Sequence, residues 1–205
     1  MSRMALHRVL VAEGGLAGLR AAIATHEAGC DVAVVSKVYP IKSHSCTAQG
    51  GINAALGNHP EGHDDSWQRH AFDTVKGSDY LADQPPVEIF CQEAPARVLE
   101  MEHWGTYFSR FADGRIAQRP FGGAGFPRTC YVADRTGHQL LFTLWEQFSR
   151  RDIPVYKEWL LLRLVADGAR AAGLPLDTNP WEPSSVSGAP WLRRQRNRLT
   201  AIGRT

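Results

Sequence analysis

RVLVAEGGLAGLRAAIATHEAGCDVAVVS, residues 8–36, is the stretch that decides the fold. Residues 8–12, Arg-Val-Leu-Val-Ala, read as a short buried strand. It ends in the glycine-rich turn Gly14-Gly15-Leu16-Ala17-Gly18. Leu16, Leu19 and Ile23 then recur at helical spacing on an alanine-rich stretch that stops near Gly29. Val32, Ala33, Val34 and Val35 are continuous and mostly β-branched, as a parallel strand covered on both faces requires. Strand, helix and strand together occupy about 30 residues, the span of a βαβ unit. The chain is therefore predicted to be α/β with a parallel sheet.

Outward from this unit, residues 37–65 are rich in loop formers, with a short helix expected over Gln49 to Leu56. Ser66 is a candidate N-cap for a helix running to Lys76. Pro85 and Pro86 suit a helix start, and the pattern continues to Trp104 with a break expected at Pro95. Phe108 to Arg119 is predicted to be a hairpin around Asp113-Gly114. Gly137 to Arg150 is predicted to be a helix, with Leu140, Leu141, Leu144, Trp145 and Phe148 on one face. Val155 to Val165 holds one or two further strands.

Composition narrows the function class. At 205 residues with 43% apolar and 21% charged side chains, the chain can bury a core and is not disordered by composition. No run approaches the roughly 18 apolar residues of a spanning helix, and residues 1–10 lack the apolar stretch of a signal peptide, so a cytoplasmic location is expected. The net charge of +2 is too small to imply nucleic-acid binding. Cys30, Cys46, Cys91 and Cys130 lie far apart, which argues against a disulfide framework, a zinc knuckle or an iron–sulfur site. The charge is uneven: beyond Gly168, six arginines face only Asp177 and Glu182. Prolines 175, 180, 183 and 190 and an arginine cluster at 193–198 replace the periodic pattern there. Residues 169–205 are therefore expected to be a disordered basic tail; docking on an acidic partner or membrane surface is the sharper alternative.

The turn after the first strand carries the first chemical signal. A dinucleotide fold places Gly-x-Gly-x-x-Gly there, for the tight turn, for approach to the pyrophosphate and for helix–strand packing. Gly15 and Gly18 match the second and third glycines, with Gly14, Leu16 and Ala17 between and beside them. The first position is Glu13, which puts a Cβ and a carboxylate where neither is wanted. At the end of the second strand, where many such folds hold a ribose with Asp or Glu, this chain has Ser36-Lys37. That disfavours an ordinary NAD module. His59, His63, Asp64 and Asp65 have metal-ligand spacing, but Pro60 and Gly62 oppose the helix that would align them, so no metal site is assigned.

Residues 37–52, KVYPIKSHSCTAQGGI, closely resemble the flavoprotein subunit of succinate dehydrogenase and fumarate reductase. The resemblance continues through 64–83, 93–105, 108–110, 114–123 and 128–138, and covers roughly residues 6–168. It implies an FAD-binding Rossmann-like domain over residues 1–168, incomplete and without its capping domain. It implies His44, between Ser43 and Ser45, as the residue bonded covalently to FAD, with Ala48, Gln49, Gly50 and Gly51 against the flavin. Ser36 and Lys37 join the cofactor set with the 14–18 turn. The histidine separates this reading from L-aspartate oxidases and soluble fumarate reductases, which share Gln-Gly-Gly.

By the same resemblance the expected partners are an iron–sulfur subunit and membrane-anchor subunits on the cytoplasmic membrane face, with a dicarboxylate as substrate. The family's dicarboxylate-binding and proton-transfer residues have no match up to Gly168, so no catalytic residue is assigned here and the chain alone is not expected to oxidise succinate. The stretch from 169 onward is expected to be an out-of-frame or truncated read of a longer gene. The rival reading is a non-enzymatic remnant with weak or no FAD binding; an aspartate-oxidase-like flavoenzyme is a further alternative. Glu13, Phe111 and Phe142 depart from the family pattern. His138 is read as structural or close to FAD.

Overall fold

The computed structural model describes residues 7–162 and, beyond them, four short strands. In chain order the elements are β1 (Val9–Ala12), α1 (Leu16–Glu27), β2 (Val32–Ser36), β3 (Ile52–Asn53), α2 (Trp67–Gly77), α3 (Gln84–His103), β4 (Gln118–Arg119), β5 (Thr129–Cys130), α4 (Thr136–Ser149), β6 (Val155–Lys157) and β7 (Leu160–Leu161). The outlying strands are β8 (Val165–Asp167), β9 (Arg170–Gly173), β10 (Pro175–Asp177) and β11 (Thr200–Ile202). Two compact units result: Met1–Ser43 with Trp145–Thr205, and His44–Leu144.

The first unit is the predicted parallel sheet. β2 lies between β1, in the register Val9↔Val32 to Ala12↔Val35, and β6, in the register Val34↔Val155 to Ser36↔Lys157, both parallel. All five residues of β2 are buried, which accounts for its unbroken apolar run. α1 buries Leu19, Ala22 and Ile23 completely. Burial of the leucine and isoleucine stabilises the unit by about 1.5–3 kcal/mol each. The helix ends where expected, at Gly29, whose φ is +76° and whose N–H donates to the His26 carbonyl at 2.9 Å.

The second unit is built on α2 and α3. The Ser66 hydroxyl accepts from the Arg69 N–H at 3.4 Å, as an N-cap should. The expected break at Pro95 is absent: α3 is a single helix of 20 residues. Proline removes one hydrogen bond, but Cys91, Ala94, Val98 and Met101 continue one buried stripe across it. The hairpin around Asp113-Gly114 forms, with Phe111 N–H donating to the Arg115 carbonyl at 3.0 Å and Gly114 at φ +86°. The helix expected over 49–56 does not form. Ile52–Asn53 is a strand, antiparallel to β5, which also pairs with β4.

Arg128 anchors this unit. It is 1% exposed, donates through two nitrogens to both oxygens of Asp65 at 2.8 Å, and reaches Asp73 Oδ2 at 2.7 Å. Burial opposes its charge, but the hydrogen bonds and charges of the two aspartates outweigh this and hold its pKa above the usual arginine value.

β8 pairs antiparallel with β9; β10 pairs with β11 in parallel and with β7 antiparallel. Three strands thus fall within the stretch expected to be a disordered tail, while the arginines at 193–198 lie outside the described residues. Among the described residues there is no capping domain and no helix long and apolar enough to cross a membrane.

Candidate functional site

The first group of candidate residues surrounds the β1–α1 turn. The Glu13 N–H donates to the Val35 carbonyl at 2.7 Å, and Glu13 itself adopts φ +91°. The turn therefore keeps a glycine-type conformation at the position where the sequence supplies glutamate. A Cβ on Gly14 would come within 2.9 Å of Pro40 Cγ and 3.0 Å of Ser36 Oγ. One on Gly18 would overlap the Glu13 carbonyl oxygen, so the helix can pass the turn only without a side chain there. Gly15 is the N-cap of α1, no side chain caps the helix, and its first turn has no acidic residue. Such a helix start suits a phosphate. Ser36 Oγ and Ser43 Oγ are buried with no hydrogen-bond partner. The orphaned Ser36 hydroxyl, beside a helix start with no side-chain cap, fits a ligand carrying hydroxyl and phosphate oxygens.

Glu13→Gly is expected to stabilise the chain by about 1–2 kcal/mol, the cost of a left-handed non-glycine residue. Urea unfolding without any ligand checks this. FAD titration of the same variant should show tighter binding. Glu13→Gln, which removes the charge and keeps the strain, should improve binding without improving stability.

The second group lies in the other unit. Residues His44–Thr47 make one 3₁₀ turn, closed by Thr47 Oγ1 donating to the His44 carbonyl at 2.7 Å. His44 is exposed. α4 begins directly against this turn: Gly137 N–H donates to the Ala48 carbonyl at 2.8 Å, and a Cβ on Gly137 would overlap the Ser45 carbonyl oxygen. Gly51 takes φ +126°, and a Cβ there would overlap Thr129 Cγ2. Gly50 packs against the Phe121 ring, 3.0 Å from where its Cβ would lie. Both glycines are thus demanded by close packing, and this packing ends any helix before Ile52. Cys46, Thr47, Gln49, Asp134, Arg135 and His138 line a cleft of about 480 Å³ beside the turn. His138 stacks on Phe142 with ring centroids 4.3 Å apart.

The structure thus places Gly14, Gly15, Leu16, Ala17, Gly18, Ser36, Lys37 and Ser43 in one unit, and His44, Ser45, Ala48, Gln49, Gly50 and Gly51 in the other. Arg119 and Arg128 received no role from sequence. Both lie in stretches that carry the family resemblance, 114–123 and 128–138, but each acts on residues more than fifty positions away, which no local pattern shows.

The histidines and aspartates at 59–65 serve local structure. His59 Nδ1 accepts from the Glu61 N–H at 3.1 Å, His63 Nδ1 lies 3.1 Å from the Pro60 carbonyl, and Asp65 is held by Arg128. Burial pushes the Cys130 thiol up to about 12 and raises that of Cys91, whereas Cys30 and Cys46 are partly exposed. Alkylation of the native chain near pH 8 is therefore expected to reach Cys30 and Cys46 only, since the thiolate is the reactive form. Mass spectrometry of peptides should show Cys91 and Cys130 modified only after denaturation.

A family model described as an FAD binding domain matches residues 8–196, past the change of composition at Gly168. The chain is 48% identical over 173 residues to a fumarate reductase flavoprotein subunit of Mycobacterium tuberculosis, covering 83% of this chain and 29% of that protein. It is 45% identical over 174 residues to a succinate dehydrogenase flavoprotein subunit of Rickettsia bellii, covering 81% and 29%. Among solved structures, the Mycobacterium smegmatis Sdh1 complex in the apo form superposes with a TM-score of 0.77 at 38% identity, covering 82% of this chain and 30% of that one. The chain spans about 29% of the length of these curated relatives.

Proposed function

This chain belongs to the FAD binding domain family, and from that premise we propose that it is the flavin-carrying part of a flavoprotein subunit of the succinate dehydrogenase and fumarate reductase type. The observation that carries the reading is the exposed imidazole of His44, set at the head of a segment whose glycines and carbonyls are held tightly by the rest of its unit. His44 is the covalent anchor, flanked by Ser43 and Ser45, and residues 48–51 meet the flavin. Gly14 to Gly18 receive the pyrophosphate at the start of α1. Ser36, with its unpartnered hydroxyl, and Lys37 receive the ribose and phosphate of the adenosine half.

When bound, FAD supplies the two-electron removal of hydrogen from a CH₂–CH₂ pair. The chain's own residues bind and orient it: the uncapped helix start favours negative charge, and the 44–51 segment presents backbone N–H groups. In the whole subunit the substrate is a dicarboxylate such as succinate. The partners are an iron–sulfur subunit and membrane-anchor subunits at the cytoplasmic face of the membrane.

The test is attachment. Chain produced with FAD present is expected to give a yellow acid precipitate and a fluorescent band on a denaturing gel. A colourless precipitate would favour the non-enzymatic remnant, the reading that the strained, charged Glu13 supports.

A further inference from the structure

Arg119 stands opposite the Gln-Gly-Gly segment and has no role in the reading above. Its Nη2 donates to the Gly50 carbonyl at 2.5 Å and to the Gln49 carbonyl at 3.2 Å. Its guanidinium carbon lies 4.4 Å from the centre of the Tyr131 ring, which fixes the plane of the group. Thr136 Oγ1 adds a second donor to the Gln49 carbonyl at 3.4 Å. Two consecutive carbonyls therefore converge on one cation, an arrangement that extended backbone does not give, because it points successive carbonyls to opposite sides. The relative direction of these two carbonyls is set at the Cα of Gly50, which joins the two peptides.

Among the described residues every peptide bond is trans. In a planar trans peptide the N–H points opposite to the C=O. The N–H groups of Gly50 and Gly51 belong to the same two peptides whose oxygens Arg119 holds, so both point away from the guanidinium. Neither takes a hydrogen bond among the described residues. The cation also polarises both peptides and strengthens the outward donors.

We propose that Arg119 is a positioning residue: by gripping the carbonyls of Gln49 and Gly50 it aims the Gly50 and Gly51 N–H groups at the flavin and raises their donor strength. This rests on the flavin-binding reading given above. Donors aimed at the ring stabilise the negative charge that reduction puts there, so Arg119 favours the reduced flavin.

The experiment compares the wild-type chain with Arg119→Met, Arg119→Gln and Arg119→Lys, each loaded with FAD, by spectroelectrochemical titration and visible absorption. At a fixed applied potential the ratio of reduced to oxidised flavin is expected to fall at least tenfold in Arg119→Met, which for a two-electron couple is about 30 mV. The flavin absorption bands should shift with it. Arg119→Lys keeps the charge and a donor nitrogen, and is expected to return the ratio to within about threefold of wild type. If Arg119→Met does not fold, Arg119→Gln against Arg119→Lys carries the same comparison. Flavin bound to the Met or Gln variant with unchanged ratio and spectrum would overturn the proposal. A wild-type chain that takes up no flavin would overturn instead the reading on which it rests.

Discussion

Arg128→Met is expected to destabilise the chain by about 3–5 kcal/mol, the cost of removing one partner from a buried ion network. The arginine is 1% exposed and the Asp65 side chain 2%, so the carboxylate left behind has little access to water. Asp73, 17% exposed, also accepts from the Gly125 N–H at 2.8 Å and would keep only that bond. The loss should appear as a lower midpoint in urea unfolding followed by circular dichroism. Adding Asp65→Asn and Asp73→Asn to the same chain is expected to recover a good part of it, because the penalty comes from stranded charge and not from the absent bond. A double-digit fall in the melting temperature that the neutralising changes leave untouched would show that Arg128 acts through packing instead.

His44→Ala is expected to remove all protein-bound fluorescence on a denaturing gel while the chain still folds. The side chain is exposed and the turn it begins is closed by backbone and Thr47, so little stability depends on the imidazole. Other histidines of the same unit are engaged: His59 and His63 in local hydrogen bonds, and His138 in its stack on Phe142. Fluorescence that survives the substitution would place the attachment on another side chain.

The βαβ unit was legible because its signals are local. A continuous β-branched run, an alanine-rich stretch at helical spacing and a glycine turn each declare themselves within a dozen residues. The family resemblance was legible for the same reason, as ordered short motifs. What escaped depends on distant partners. Residues 52–53 are a strand because Cys130 and Thr129 pair with them, and nothing within the 49–56 window announces that. Pro95 is tolerated because of a buried stripe assembled from both of its flanks. Glu13 was visible as a misfit, but only the structure shows that the turn kept its left-handed conformation regardless. The conformations of Gln49, Gly50 and Gly51 were beyond reach, since the side chains that hold them come from positions 119 and 136.

That last dependence has a meaning in time. The Gln49 carbonyl is held by groups 70 and 87 residues further along the chain. During synthesis at about 5–20 residues per second, roughly 4 to 17 seconds separate the making of Gln49 from the making of Thr136. Throughout that interval the histidine at position 44 is already present, but the surface that would hold a flavin against it is not. A cofactor arriving early would not meet the held 49–51 segment; on the reading proposed above, flavin capture follows the making of the start of the fourth helix.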